Sequence, residues 1–329
     1  MKRSFALAFL AVILAIILLS AYFFLSERGG AQITIRAGTL QGGISTLDPM
    51  QYYNLSSREN VKLEVYRFEK TTDILAALGR GDIDVAVIPS EMAAKLIQSG
   101  IQVKIIAPEM LQNQAIITRG DMSSIEQLRG KNVISLLSTG SYMMFKAYMK
   151  IIYNMTVVDS QQGSGDIVGI NSPPGTILDA LARGNGAAAV VWEPFVSIGV
   201  VRYNFTVLST FQQLWDKTNS TGLPVMLVWV ATQNFTSDSN KLKAFLNMRS
   251  LALEEWKSDP NGIVKMMRDM YGLSQQEASY LYNRVALLDN SLNATVRSGI
   301  RNVWYLAYRG GYLNQDPSSI GDQAFYAAS

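Results

Sequence analysis

Three short stretches bring together residue types able to hold a small molecule. Thr139-Gly140-Ser141-Tyr142 follows an apolar run at 133–137 and opens a helical pattern. Hydroxyls, a glycine and the free backbone N–H groups of a helix N-terminus make a ready anion site. Gly42-Gly43-Ile44-Ser45-Thr46 is a looser version of the same arrangement. In both, the hydroxyls could instead serve only as helix caps. The third feature is a pair of strand ends, Ser90-Glu91 and Trp192-Glu193, each offering a carboxylate beside a hydroxyl or an indole. Trp192 and Tyr142 could wall or stack on an organic ligand, or simply pack in a core.

The rest of the composition shortens the menu of chemistry. The 329 residues include no cysteine and no histidine. Thiol nucleophiles, disulfides, zinc sites of the usual kinds and histidine-based triads are therefore excluded. A glutamate beside a serine, with no base to activate it, is weak ground for catalysis. No cofactor, metal or enzymatic activity is expected. Formal net charge is +3, and Lys2 and Arg3 of the N-terminal segment supply two of those charges. So neutral a body does not suit nucleic acid, which needs a basic face. With 48% hydrophobic and 17% charged residues, the chain is long enough for one large or two medium globular domains.

The elements that must position these residues alternate. Strands are expected at 33–37, 62–68, 84–88, 103–107, 115–118, 133–137, 166–170, 187–191 and 225–231. Helices are expected at 72–79, 91–98, 141–153 and 174–182, with a helical turn at 125–128. This is the pattern of βαβ units and a parallel sheet. From residue 239 onward the pattern is helical, with apolar stripes such as Leu242, Phe245, Leu253 and Trp256, then Val296, Ile300, Val303 and Ala307. A repeat lies within the alternation. Residues 73–91, DILAALGRGDIDVAVIPSE, align without gaps on residues 176–194, TILDALARGNGAAAVVWEP. Each copy reads as helix, glycine C-cap, tight turn and buried strand. Arg80-Gly81-Asp82, an adhesion-type tripeptide, is thus a helix end that recurs as Arg183-Gly184-Asn185. Asp82 and Asp84 have no carboxylate counterparts in the second copy and read as turn residues. Two similar α/β lobes follow. Ligands of open α/β sheets sit beyond the carboxyl ends of the strands, which places Ser90-Glu91 and Trp192-Glu193 at one cleft if the lobes face each other.

The N-terminus sets an expected location. Residues 5–25 are uncharged and long enough to span a bilayer, and basic residues precede them, so the body is expected outside the membrane. A retained anchor and a cleaved signal both fit. Six sequons, at Asn54, Asn154, Asn204, Asn219, Asn234 and Asn293, are candidates for glycosylation of an exported surface, or coincidence.

In these features the chain resembles substrate-binding proteins of ABC importers of the nitrate/sulfonate/taurine type. The resemblance rests on Ala77 to Ala86, on Leu128-Arg129-Gly130-Lys131, on Thr139-Gly140-Ser141 and on Val191-Trp192-Glu193-Pro194-Phe195, and runs from about residue 33 to 287. It implies a type II periplasmic-binding-protein fold: an α/β protein of two lobes joined by two crossing strands, near 115–119 and 225–231. Residues 1–31 would be anchor and spacer. Residues 32–117 and 226–329, with the C-terminal helices, would form the first lobe, and 118–225 the second. It implies capture of a small organic anion or related solute, of the nitrate, sulfonate, taurine or pyrimidine-precursor class, by lobe closure, and delivery to a permease with its ATPase. The matching cleft positions are Ser45, Thr46, Ser90, Glu91, Thr139, Gly140, Ser141, Tyr142, Trp192 and Glu193. Glu91 and Glu193 could meet a ligand amine, the other lobe or the permease. A monomer is expected. The chain departs from bacterial members in having no lipid-attachment cysteine and in its long apolar N-terminus. The alternatives are a single-span sensing or adhesion ectodomain and an enzyme of the thiamin-pyrimidine type.

Overall fold

A computed structural model describes residues 32–326 apart from 160–162 and 164. The alternating pattern resolves into two sheets. The first contains β1 (Ile33–Leu40), β2 (Val61–Phe68), β3 (Val85–Pro89), β4 (Val103–Leu111) and β11 (Val225–Thr232), in the order β2-β1-β3-β11-β4. The second contains β5 (Ala115–Thr118), β6 (Lys131–Ser135), β7 (Val157–Asp159), β8 (Ile167–Asn171), β9 (Ala188–Val191) and β10 (Thr206–Thr210), in the order β10-β5-β9-β6-β8-β7. The pairs β1–β2, β1–β3, β6–β8, β6–β9 and β7–β8 are parallel, while β11 and β5 run antiparallel to their neighbours. Central strands such as β3 and β9 read as unbroken apolar runs because helices cover both faces.

The first sheet carries α1 (Leu47–Tyr52), α2 (Thr71–Arg80) and α3 (Ser90–Gln98). The second carries α4 (Gly140–Tyr153), α5 (Pro174–Ala182), α6 (Phe195–Arg202) and α7 (Phe211–Asp216). The repeat is visible as geometry. Gly81 and Gly184 both adopt left-handed backbone, with φ of 73° and 80°, where a side chain would be strained. Arg80 pairs with Asp82 on the surface, and Asp84 accepts from the Arg36 backbone N–H at 2.8 Å and its guanidinium at 2.7 Å, pinning the turn to β1.

The strands expected to cross between lobes do not do so. β5 is paired on both sides within the second sheet and β11 on both sides within the first, so neither can straddle the gap. The chain passes instead at 112–114 and 217–224, side by side: the Gln112 N–H donates to the Pro224 carbonyl at 2.9 Å. Residues 285–288 lie along the first passage, with Leu111 N–H on the Ala286 carbonyl at 3.0 Å.

The C-terminal helices are α8 (Gln233–Ser237), α9 (Ser239–Ser258), α10 (Pro260–Tyr271), α11 (Gln275–Arg284) and α12 (Ala294–Gly310). α9 returns to the first lobe and packs Leu242, Phe245 and Met248 into its core. It also buries Arg249, which meets Glu109 at 3.0 Å and the Pro108 and Leu288 carbonyls. α12 does more than return. It lies against α3 of the first lobe and α4 of the second, with Val296, Ile300, Val303 and Trp304 in a core that spans both.

Residues 1–31, with the expected anchor at 5–25, lie outside the described residues, and among those described no helix is long and apolar enough to cross a membrane. All six sequon asparagines are exposed. Four of them, Asn54, Asn154, Asn204 and Asn219, have φ of 49–55°, a conformation asparagine tolerates better than other residues with side chains. Asn293 caps α12 by accepting from the Val296 N–H at 3.0 Å. These five positions thus have a backbone reason for asparagine besides modification.

Candidate functional site

The carboxyl ends of β1, β3 and β9 converge on a cavity of about 50 Å³ between the lobes. A water needs about 10–15 Å³ by this measure, so the space suits a small solute. The first lobe contributes Thr39 and Leu40 from the end of β1, Ile44 beyond it, Thr71 from the start of α2, and Val87 and Pro89 from β3. The second contributes Thr139, Gly140 and Ser141 at the start of α4, then Trp192 and Glu193 after β9. Asn113 and Gln114, in the first passage between lobes, form its floor together with Met110 and Met226.

Most of this wall is apolar, and the polar groups in it are conspicuous for lacking partners. Thr71 Oγ1, Asn113 Oδ1, Gln114 Oε1 and Trp192 Nε1 are buried and unbonded. Buried polar atoms almost always find a partner, and an orphan calls for an explanation. The N–H groups of Gly140 and Ser141 sit in the first turn of a 14-residue helix, where no intrahelical acceptor exists. Thr139 caps that helix, accepting from the Tyr142 N–H at 3.4 Å and donating to the Leu136 carbonyl at 2.8 Å. Among the described residues no lysine or arginine lines the cavity. Negative charge placed there would be met by N–H donors and a helix dipole.

The two glutamates differ. Glu193 accepts from the Ser197 hydroxyl at 2.7 Å and its N–H at 3.1 Å, and pairs with Arg284, which also donates to the Asn113 carbonyl at 2.9 Å. Burial raises its proton affinity, and Arg284 and Ser197 oppose that rise. Glu91 is buried at 2% exposure with Oε1 unpartnered, and desolvation pushes its carboxyl up to about 7. It comes from the first lobe and abuts Gly140 of the second: a Cβ on Gly140 would overlap Glu91 Oε1 and stand 2.6 Å from Pro89 Cβ.

Of the ten positions singled out in the sequence, Thr139, Gly140, Ser141, Trp192 and Glu193 meet at the cavity. The other five are buried outside its lining. Ser45 donates its N–H to Asp48 at 2.9 Å, and Thr46 gives its N–H and hydroxyl to Glu109 at 2.5 and 3.1 Å. The Ser90 hydroxyl bonds the Val225 carbonyl at 2.7 Å, Glu91 lies behind Gly140, and Tyr142 reaches Asp159 at 2.8 Å inside the second lobe. Sequence reasoning missed Thr39, Thr71, Asn113 and Gln114. The strand-end rule, applied to β1 and to the start of α2, would have found the threonines. The polar run Gln112-Asn113-Gln114 between two apolar strands was the signal for the others.

Two α/β lobes joined by two passages, with a ligand-sized cavity between them, define the periplasmic-binding-protein class of fold. The comparisons agree. The alkanesulfonate-binding protein SsuA from Xanthomonas axonopodis pv. citri, bound to MOPS, superposes with a TM-score of 0.70 at 16% identity, covering 86% of this chain and 95% of that one. The periplasmic aliphatic sulphonate binding protein SsuA from Escherichia coli gives a TM-score of 0.70 at 16% identity over 90% and 92% of the chains. In sequence, the taurine-binding periplasmic protein of Escherichia coli K12 is 24% identical over 214 residues, 64% of this chain, and the match spans 62% of that relative's length. No family model matches the chain. The resemblance read from the sequence, to substrate-binding proteins of the nitrate/sulfonate/taurine type, is the one these comparisons return.

Proposed function

We propose that the protein is an extracytoplasmic solute-binding protein of an ABC importer, which traps a small organic anion in the interlobe cavity and hands it to a permease and its ATPase. The observation that carries this reading is the set of four buried, unpartnered polar groups, on Thr71, Asn113, Gln114 and Trp192, around one cavity between two lobes. Trp192 Nε1–H and the Thr71 hydroxyl can donate to an anionic head, whereas Asn113 Oδ1 and Gln114 Oε1 accept and call for an N–H or O–H elsewhere on the solute. Each group so bonded loses a desolvation cost of about 1–3 kcal/mol. The acidic head of the solute sits at the start of α4 on the Gly140 and Ser141 N–H groups, with Trp192 Nε1–H as a further donor. Its apolar part lies against Leu40, Ile44, Ile74 and Met226. Lobe boundaries fall at the passages, 112–114 and 217–224. Export through the apolar N-terminus, as anchor or cleaved signal, places the cavity outside the cell and the sequons where they can be glycosylated.

Thermal shift and titration calorimetry with nitrate, ethanesulfonate, taurine and a hydroxymethylpyrimidine test this reading. A ligand of the first three raises Tm and binds with micromolar or tighter Kd. Trp192→Phe, which keeps the ring and removes the N–H donor, weakens binding about tenfold, the weight of one buried hydrogen bond. No Tm change with any of the four compounds sinks the transport reading.

A further inference from the structure

Glu91 has no evident structural use for its charge. It follows β3 in the first turn of α3, at the interlobe contact behind the anion-holding turn of α4. Its Oε1 accepts no hydrogen bond, and the backbone it touches, Gly140, is the first residue of the helix whose free N–H groups face the cavity. Among the described residues no cation answers it. On α4 the Glu91 charge acts on Tyr148, whose hydroxyl donates to Gln112 at 2.8 Å. In the turn after α12 it acts on Tyr312. Burial holds both phenols well above their ordinary range, and the Glu91 charge raises them further, so both stay neutral. Lys95, one turn along α3, points outward over the Tyr312 ring. Glu193, across the cavity, has Arg284 and Ser197 as partners.

A bound anion and an ionised Glu91 would therefore share one helix terminus from opposite sides of Gly140, in a dry interface where like charges repel strongly. We infer that Glu91 sets the charge the cleft accepts: the site takes up an anionic head group together with one proton from solvent, held on Glu91. Ligand and proton then enter the closed cleft as a neutral pair. Above the pH at which Glu91 ionises, capture of an anion requires that proton to be regained, and affinity falls. The inference rests on the proposed anion site.

The test is titration calorimetry with ethanesulfonate, whose own charge is constant from pH 6.5 to 8.5. For the unaltered protein, Kd rises by about twenty- to thirtyfold across that range, since full coupling to a group near 7 gives nearly tenfold per pH unit above it. At pH 7.5, comparison of two buffers of different ionisation enthalpy shows about three-quarters of a proton taken up per ligand bound. Glu91→Gln removes both the slope and the proton uptake. A pH-independent Kd with no proton uptake in the unaltered protein overturns the inference while leaving the anion site intact. So does a slope that persists in Glu91→Gln, which would move the proton to Glu193. Should Glu91→Gln fail to fold, the two-buffer measurement on the unaltered protein decides alone. Absence of ethanesulfonate binding at every pH sinks the proposed anion site, and this inference with it.

Discussion

Glu91 shows how burial gives a common residue an uncommon property. The carboxyl is desolvated by burial, and among the described residues its own backbone N–H supplies the one hydrogen bond that lowers it. Its pKa moves up from 4.5 to about 7. The sign for stability follows from that direction. The protonated form is the one the fold accommodates, so stability is fully present below the unfolded value and is lost as pH rises through the folded one. A span of about two and a half units corresponds to about 3 kcal/mol at full extent. Urea unfolding of the ligand-free protein should lose about 2–3 kcal/mol between pH 5 and pH 8, and Glu91→Gln should not. Equal slopes for the two proteins would show that the carboxyl finds solvent or a partner in solution. Glu193, equally buried, is a different case because Arg284 and Ser197 compensate its charge.

Among the elements, α12 holds the unexpected role. Its apolar stripe was plain in the sequence, but its partner was not. The helix approaches the second passage so closely that a Cβ on Gly299 would overlap the Leu223 carbonyl oxygen and lie 2.6 Å from the Leu223 nitrogen. Farther along, a Cβ on Gly310 would overlap Ala147 on α4. Backbone atoms cannot step aside as a side chain tip can. Gly299→Ala should therefore cost about 1–3 kcal/mol in thermal or urea unfolding, despite the better helix propensity of alanine. An unchanged or raised Tm would mean that α12 does not brace the passage. Asn302 adds to the contact, donating to the Thr221 carbonyl at 2.8 Å.

At the scale of the whole molecule the lobes are in contact on both sides of the cavity. Arg202 on α6 grips Glu277 on α11 through two bonds, at 2.7 and 2.9 Å, while Arg284 on α11 grips Glu193 of the second lobe. Pro89 and Glu91 press on Gly140. This is a closed arrangement, and Gly140 is where it is tightest. Gly140→Ala inserts a methyl group between Pro89 and α4, so it should wedge the lobes apart. Expected is a ligand affinity lowered by at least tenfold and a larger radius of gyration with ligand by small-angle scattering, with Tm without ligand changed little. Normal affinity and a normal radius would place the closing contact elsewhere.

The sequence by itself determined the alternation of strand and helix, the internal repeat, the absence of cysteine and histidine chemistry, and the second lobe's share of the cavity. Those features are local. Apolar periodicity, glycine C-caps and a Thr-capped helix start act within a few residues, so their consequences can be read without knowing what packs against them. Thr139, Gly140, Ser141 and Trp192 were legible for that reason. Only the tertiary structure decided which way the strand-end residues face. Ser45 and Thr46 look like a ligand loop, but Ser45 gives its N–H to Asp48 three residues on, and Thr46 joins Trp229 and Arg249 as donors to Glu109, which arrives from β4, 63 residues away. Glu91 stands at a strand end as expected, yet its surroundings come from α4 and the turn after α12. The crossings shifted to 112–114 and 217–224 because pairing on both sides, a non-local property, holds β5 and β11 within their own sheets. Burial and partnership arise between distant segments, and they are what separate a capping hydroxyl from a binding one and a solvated carboxylate from one that keeps its proton.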